Sequence, residues 1–491
     1  MATDQIRSGR LDAERSALVE DYLSSMRADR EIAVCDLKVD MAHVLMLEKQ
    51  QLIDSASAKK LLTVLHGYLE NGVPDGAFDE TREDIHAGIE ACLIEDAGAD
   101  AGGRMHLGRS RNDEVATCLK MRTRELLLQT LAGTFELRRV LLARAEEHIN
   151  TLMPGFTHLQ HAQPTTLAHY LLSYENLFAR DSSRIFDTYA RLNKCPLGSA
   201  AFAGTGFNLD RDYTAELLGF ASPMENSMDG VANRDFILES LADLSILMTN
   251  VSRMCEELIL WSSPLVHFVV LNDAYCSTSS IMPQKKNPDT LEIMRAKSAA
   301  VCGELASGLT LVKSLPMSYN RDLQDLNPHL WSAFSQVGAS LSLLAEIVDT
   351  AEFDEAAMKK QAKAGNTTAT ELADFMVREY NLPFRTSHNI VGRAVKLGSL
   401  DLETLEKAAK EVGAGSLKKK GLTQSLIDKV LNPRENLKAK KTFGSPNPKL
   451  VKKAIQVADI QLVQDEVTSD ILRDALEDAD EKIAAKIQEL A

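Results

Sequence analysis

The chain has 491 residues, of which 45% are hydrophobic and 25% are charged, a globular composition long enough for two or three domains. Its formal net charge of −15 disfavours the nucleic-acid-binding class, which usually carries a basic face, so we expect no nucleic-acid partner. The seven cysteines include no CxxC pair, which indicates reduced thiols in a cytoplasmic protein rather than a disulfide framework or a zinc site.

The apolar runs of the chain are too short or too interrupted for membrane insertion. Residues 1–16 contain no stretch typical of a signal peptide. The most apolar run, residues 258–271, is broken by Pro264 and His267 and cannot span a bilayer. We therefore expect no membrane partner.

The periodicity of apolar residues divides the chain into three parts, which we predict as domains: residues 1–110 with mixed helices and polar loops, residues 111–352 with long helices, and residues 353–491 with shorter helices and turn-rich joints. In the middle part, apolar residues recur at spacings of three, four or seven, so each stripe lines one face of a helix. Such helices bury their stripes against one another, which predicts a mostly α protein built around a long-helix bundle. The stripes are Met121, Leu128, Phe135, Leu142 and Ile149; Ile237, Leu241, Leu244, Met248, Val251, Cys255 and Leu258; Leu291, Met294, Ser298, Val301 and Leu305; and Leu330, Phe334, Val337, Leu341, Leu344 and Val348.

The segment STSSIMPQKKNP, residues 277–288, combines hydroxyls with positive charge. Asn287, Pro288 and Asp289 follow the pattern of a helix start, with Asn as N-cap and Pro as the first helical residue. The positive end of that helix and the neighbouring lysines would attract an anion. On these grounds alone, an anion site and a solvated capping loop fit the segment equally well.

Three motifs carry a resemblance to a known family. SSIMPQKKNPDTLEIMR resembles the signature of the fumarase/aspartase superfamily and is most similar to the argininosuccinate lyase family. HLGRSRNDEVAT (residues 106–117) and PGFTHLQHAQPTT (residues 154–166) resemble two further family motifs, in family order. The resemblance extends over essentially the whole chain and implies a mostly helical, three-domain fold whose central helices tetramerise.

The resemblance also implies a reaction: β-elimination of argininosuccinate to L-arginine and fumarate in arginine biosynthesis, with no cofactor and no metal. In this reaction a base removes a proton beside a carboxylate, and positive groups stabilise the charge that develops. The substrate is a small molecule, and the family builds each active site from more than one subunit of a homotetramer.

Matching positions imply the roles of individual residues. Ser279 corresponds to the catalytic base, which needs activation by nearby positive charge such as Lys285. Lys285 also corresponds to a residue that binds the reacting carboxylate. Glu292 corresponds to the acid that pairs with His158. The positions that correspond to substrate contacts are Ser110, Asn112, Thr157 and Asn287, with Tyr319 and Gln324 on the arginine side.

Most of these residues have an ordinary structural alternative. Asn112 fits the N-cap of a helix that starts near Asp113. Thr157 fits a polar loop residue and Tyr319 fits a packing residue. The resemblance, rather than the residue types, assigns these roles.

The chain departs from the family pattern at several positions near the part that recognises the leaving group. Thr278 replaces a glycine and would be strained if that backbone needed a positive φ. Asp40 stands where the family has a substrate-contacting serine, and we predict that it attracts the substrate guanidinium. Asn327 replaces a lysine, and it also fits an N-cap before Pro328.

Two alternatives remain open. Adenylosuccinate lyase is disfavoured by the residues of the segments GRSRND and QKKNPD. Recognition of a purine phosphate would also require more basic residues in the first domain. A catalytically silent, crystallin-like structural protein is disfavoured because Ser279, Lys285, Asn287, His158 and Glu292 are all present.

Overall fold

The computed structural model describes residue 13 and residues 15–490. Helices dominate it, and the strands form four two-stranded sheets among the described residues. The helices are α1 Ala17–Leu23, α2 Met26–Asp29, α3 Ala33–Lys49, α4 Ser55–Asn71, α5 Ile85–Ala97, α6 Ala99–Gly102, α7 Arg111–Glu147, α8 Leu167–Leu192, α9 Arg211–Leu217, α10 Ser227–Ala232, α11 Asp235–Ser262, α12 Asp289–Val312, α13 Leu326–Thr350, α14 Glu355–Ala362, α15 Ala369–Tyr380, α16 Phe384–Leu397, α17 Leu402–Val412, α18 Gln424–Val430, α19 Pro433–Ala439 and α20 Pro448–Leu490. The strands are β1 Leu152–Thr157, β2 Gln160–Thr166, β3 Lys194–Cys195, β4 Ser222–Pro223, β5 Val269–Val270, β6 Ser277–Thr278, β7 Lys286–Asn287 and β8 Glu352–Phe353.

The four apolar stripes lie on α7, α11, α12 and α13, which confirms the predicted long helices. Helix α11 packs against α12, and α7 packs against both α8 and α13. All stripe residues are buried except Leu305, which is partly buried, and Ile149, which follows the end of α7. Because each buried leucine-sized side chain contributes about 1.5–3 kcal/mol, burial of these stripes stabilises the bundle.

The last helix differs from the sequence expectation of shorter helices in the final part of the chain. Helix α20 has 43 residues and packs along α7 and α8. The buried side chain of Arg138 on α7 holds it there, donating to Glu175 on α8 at 3.1 Å and to Asp465 on α20 at 2.7 Å. A buried guanidinium between two carboxylates satisfies charges that would otherwise be costly to bury.

The described residues contain one large hydrophobic core, a smaller separate one and a minor cluster of Leu152, Ala362 and Leu437. The large core includes residues from α3 through α13 together with the inner face of α20. The smaller core lies within residues 372–427 and is formed by α15 to α18. The division into 1–110, 111–352 and 353–491 stays a prediction. No helix among the described residues is both long and apolar enough to cross a bilayer.

Candidate active site

The loop between β6 and β7 holds Ser279 and Lys285. Its ends are joined by the antiparallel pairs Ser277–Asn287 and Thr278–Lys286, directly before α12. The Oγ of Ser279 accepts hydrogen bonds from the backbone N–H groups of Ile281 at 3.3 Å and Met282 at 3.1 Å. These donors stabilise negative charge on the hydroxyl oxygen, as a serine base requires.

The positive charge of this loop is open to a ligand. Lys285 is exposed and forms no ion pair with any described residue, whereas Lys286 pairs with Asp273. The start of α12 differs by one residue from the sequence prediction. Asn287 lies in β7, where its side-chain amide donates to Ser277 Oγ at 3.5 Å, and Pro288 occupies the N-cap position. Asp289 lies in the first turn, as predicted.

His158 lies at the tip of a hairpin that the sequence analysis did not identify. Strands β1 and β2 are joined by a two-residue turn, His158–Leu159, and both residues have φ of 55°. Such a turn normally contains Asn and Gly, because positive φ is unfavourable for other residues. Thr157, for which a polar loop position was the structural alternative, instead pairs with Gln160 as opposed strand residues next to the turn. The strained backbone thus presents an exposed histidine at a fixed position.

The start of α7 positions Ser110 and Asn112. Ser110 is the N-cap and forms a capping box with Asp113, so the expected alternative of Asn112 as the cap is wrong. Asn112 is instead free of the capping role and donates through Nδ2 to the carbonyl of Ala201 at 3.0 Å. Asp113 also accepts from the backbone N–H groups of Gly198 and Ala200, which fixes the segment that follows β3 against α7.

Next to this helix start lies a cavity of about 130 Å³ that contains the residues predicted for the arginine side. Ser25 Oγ donates to Asp29 Oδ2 at 2.6 Å, and burial raises the pKa of Asp29 to about 6. Burial also raises the pKa of Tyr319. The cavity is lined by Ser25, Asp29, Glu83, Asp84, His86, Arg111, Asn112, Val115, Leu119, Arg234, Tyr319, Arg321, Leu323, Gln324 and Asn327. Acidic and basic groups on one small wall suit a ligand with both charges.

Asp40 does not occupy the position that its predicted role requires. Its side chain is 1% exposed, and Oδ1 lies 2.6 Å from Nη1 of Arg109 in the same chain. Nη2 of Arg109 lies 2.9 Å from Oε1 of the buried Glu114. Burial outweighs the nearby guanidinium and raises the pKa of Asp40 to about 7. The guanidinium that Asp40 binds is therefore internal, and the structure corrects the prediction of a substrate contact.

A buried histidine completes this internal network. Nδ1 of His86 lies 2.8 Å from Oδ1 of Asp36. Burial opposes a charge on the ring, but Asp36 and Glu114 outweigh it and raise the pKa of His86 well above its usual value. Asp36, Asp40 and Glu114 are also close enough together to bind a cation. Arg109 and His86 already supply positive charge to these three carboxylates. A metal ion therefore fits the group no better than these two side chains do.

Apart from the buried Asp40, the main groups of predicted site residues belong to three parts of the chain. The first is the β6–β7 loop with Ser279 and Lys285; the second is the β1–β2 turn with Thr157 and His158; the third is the cavity beside α7. No hydrogen bond or ion pair among the described residues joins one place to another. In particular, His158 and Glu292 are both exposed, and no hydrogen bond or ion pair among the described residues joins them.

Comparisons with known proteins extend over the whole sequence. Residues 9–303 match the lyase family model, and residues 366–438 match the model of the argininosuccinate lyase C-terminal region. The chain is 74% identical over 490 residues to argininosuccinate lyase of Methanocorpusculum labreanum, covering 100% of both chains. It is 55% identical over 491 residues to argininosuccinate lyase of Methanoculleus marisnigri, again covering 100% of both. The chain belongs to the argininosuccinate lyase family.

Solved structures agree with this membership and with the expected mostly α, fumarase/aspartase-like fold. An EDDS lyase in complex with formate is 30% identical and superposes with a TM-score of 0.85, covering 98% of this chain and 96% of that one. A class II fumarase from Schistosoma mansoni, at 17% identity and a TM-score of 0.67, covers 82% of this chain and 90% of that one and shares the fold.

The structure also places the positions at which this chain departs from the family pattern. Thr278 lies in β6 without a positive φ, so the expected strain is absent. Asn327 is 2% exposed and lines the cavity, and its Oδ1 has no hydrogen-bond partner among the described residues. Helix α13 begins at Leu326 with Asp325 as N-cap, so the expected capping role of Asn327 is wrong.

Sequence reasoning missed several cavity residues. Ser25 and Asp29 lie far from any recognised motif, and only the fold brings them to the cavity. Arg234 lies outside the three motifs, and the sequence does not indicate its buried position. The run of charged and hydroxyl residues around Ser25 was the available signal, but the same composition is ordinary for a helix start.

Proposed function

We propose that the chain catalyses the β-elimination of argininosuccinate to L-arginine and fumarate without a cofactor. The full-length identity to named argininosuccinate lyases carries this proposal. The open cationic loop and the cavity of mixed charge support it, because the substrate has carboxylates at the reacting end and an amino-acid group at the other.

In this mechanism Ser279 removes the proton from the carbon beside the reacting carboxylate. The two backbone N–H groups that donate hydrogen bonds to Ser279 Oγ stabilise the deprotonated serine. Lys285 and Asn287 hold the carboxylate while charge accumulates on it. The carbon–nitrogen bond then breaks, fumarate forms, and the guanidinium nitrogen of arginine receives a proton, with His158 and Glu292 as the pair that orients and holds a proton.

We propose further that the active protein is a homotetramer whose sites are shared between subunits. On one chain, no hydrogen bond or ion pair among the described residues joins Ser279, His158 and the cavity, which supports this arrangement. Helix α12 supports it too, because its outer face is small and apolar, with Ile293, Ala296 and Ala300 all exposed. Such a face packs closely against another helix.

The substrate test follows fumarate formation by purified protein with argininosuccinate, adenylosuccinate, aspartate and malate. We expect turnover of argininosuccinate alone, and its loss in Ser279→Ala with an unchanged circular dichroism spectrum. Turnover of adenylosuccinate instead would favour that alternative activity, and no turnover of any substrate would favour a silent structural protein.

The assembly test mixes two inactive variants, Ser279→Ala and His158→Asn, after dissociation and reassociation. If the two residues reach one site from different subunits, about a quarter of the sites in a one-to-one mixture regain both native residues. No recovery of activity, with a tetramer seen by light scattering, would show that both residues come from one subunit.

We also propose a role in arginine biosynthesis in the cytoplasm, which the free cysteines favour. A strain that lacks the gene should require arginine and should be rescued by the native chain but not by Ser279→Ala.

A further inference from the structure

The outer face of α20 carries an exposed apolar stripe. The inner face of this helix packs along α7 and α8, but a second set of apolar side chains lies on the opposite side of the helix. Each of them is between 51% and 62% exposed. This outer stripe consists of Val457, Ile460, Val463, Val467 and Ile471. Single exposed apolar residues are common, but five on one helix face form a surface typical of a contact with a partner.

The outer stripe is the middle of a longer seven-residue repeat. Alternating steps of four and three residues connect positions 453 to 478, a length of about 38 Å along the helix. The positions of this outer repeat are Lys453, Val457, Ile460, Gln464, Val467, Ile471, Asp474 and Asp478. All eight residues are exposed. Such a repeat forms the contact line of a two-helix coiled coil.

The two ends of the outer repeat carry opposite charges. Lys453 lies at its N-terminal end, and Asp474 and Asp478 lie at its C-terminal end. None of these three residues forms an ion pair with a described residue, whereas the neighbouring Arg473 pairs with Asp470. An identical helix in the antiparallel direction places the positive end of each copy against the negative end of the other. A parallel helix would bring like charges together, which is unfavourable.

One antiparallel register suits both the charged ends and the apolar middle. When Lys453 lies opposite Asp478 of the second copy, Ile460 lies opposite Ile471 of the second copy. The two-fold symmetry repeats each pair, so both copies use the same surface. Gln464 then lies near the symmetry axis, where a polar residue favours one register over the others.

We propose that the outer face of α20 binds the same face of a second copy of this chain in an antiparallel helix pair, and that this contact links tetramers to one another. The surface is separate from the outer face of α12, because α20 packs along α7 and α8 whereas α12 packs against α11 and α13. Five apolar side chains from each copy enter the contact, whereas a stable complex uses about 20–30 residues a side. Association therefore depends on protein concentration. The link between tetramers rests on the proposed function, but the helix pair itself does not.

The test measures the mass of the full-length native protein by light scattering over a range of concentrations. We expect a mass above four chains that rises with concentration. In the double variant Ile460→Glu, Ile471→Glu the mass should stay at four chains, because glutamates face each other in the paired register. Turnover of argininosuccinate should be unchanged, since both residues lie outside the candidate site. Val395→Glu is the matched control, because it removes an exposed apolar side chain from α16 and should leave the association unchanged.

Charge variants test the direction of the helix pair. Lys453→Glu should weaken association about threefold to tenfold, because two carboxylates then face each other at both ends of the contact. Asp478→Lys should weaken it similarly. An equal mixture of the two variant proteins should restore native association, because each end then joins opposite charges. Weakening without restoration in the mixture would overturn the antiparallel register.

A native mass of four chains at every concentration would overturn the inference and leave the outer stripe for a different protein. Unchanged association in the double variant would overturn it too, and if that variant does not fold, the mixture of charge variants decides. Native dimers that the double variant separates into monomers would support the helix pair and refute the proposed tetramer. Tetramers that associate through α20 but do not turn over argininosuccinate would refute the proposed function and leave the inference intact.

Discussion

Replacing Asp40 by alanine tests whether this residue is a core partner or a substrate contact. Asp40 and Arg109 are each 1% exposed, and their charged atoms lie 2.6 Å apart. Removing one partner of such a pair costs about 3–5 kcal/mol, because the other charge stays buried. Glu114 still lies 2.9 Å from the guanidinium, so we expect the lower end, about 3 kcal/mol, or about a 100-fold change in an opening equilibrium.

The assay is amide hydrogen exchange in peptides from α3 and from the start of α7. Exchange there should accelerate by about 100-fold in Asp40→Ala, since local opening exposes these amides. The KM for argininosuccinate should change less than twofold. Lys38→Met is the matched control, because Lys38 pairs with Asp480 on the outer side of α3 and should affect exchange little. A tenfold rise in KM with unchanged exchange would refute this reasoning and restore the substrate-contact role.

Three further predictions follow from single contacts. Arg138→Met should destabilise the packing of α20 by about 3–5 kcal/mol, which proteolysis would detect as faster release of residues 448–490. An unchanged rate would show that the apolar face of α20 is sufficient to hold the helix in place. Gly155→Ala should abolish most turnover while the circular dichroism spectrum stays unchanged, because a Cβ would lie 2.6 Å from the carbonyl oxygen of Gln163 and distort the hairpin. Full activity would mean that the hairpin relaxes without moving His158. Arginine affinity should rise between pH 5 and 7 as Asp29 ionises with a pKa of about 6, since the carboxylate attracts the amino group only when charged, and titrations of Asp29→Asn should show no such rise.

Local periodicity was sufficient for the central bundle but not for every helix. The stripes on α11 and α13 repeat without interruption, and their burial follows directly. Helix α20 carries a seven-residue repeat as well, at Ile455, Leu462, Ser469, Leu476 and Ile483, but Ser469 interrupts it. The α12 stripe was identified despite Ser298, so the heptad of α20 was an equally readable signal that the sequence analysis missed.

The hairpin and the buried network were not readable from the sequence for different reasons. The turn His158–Leu159 lacks the Asn-Gly pattern by which a two-residue hairpin is recognised. Both residues nevertheless have positive φ, which the surrounding structure holds in place. Asp40 and Arg109 are 69 positions apart, and nothing local indicates that one neutralises the other. Motif matching assigned Asp40 by its neighbours in sequence, whereas its burial is set by its neighbours in space.

The departures from the family pattern affect two parts of the protein, the loop with Ser279 and the cavity. Each part is held in place by its own contacts. The loop with Ser279 is held by the β6–β7 pairs and the start of α12, whereas the cavity is formed by α2, the start of α7, Arg234 and the segment before α13. No hydrogen bond among the described residues joins the loop to the cavity. A change such as Asn327 can therefore alter how the leaving group is held without displacing the base. Substitutions in the two parts should then act additively on the free energy of activation, because sites without shared partners couple weakly.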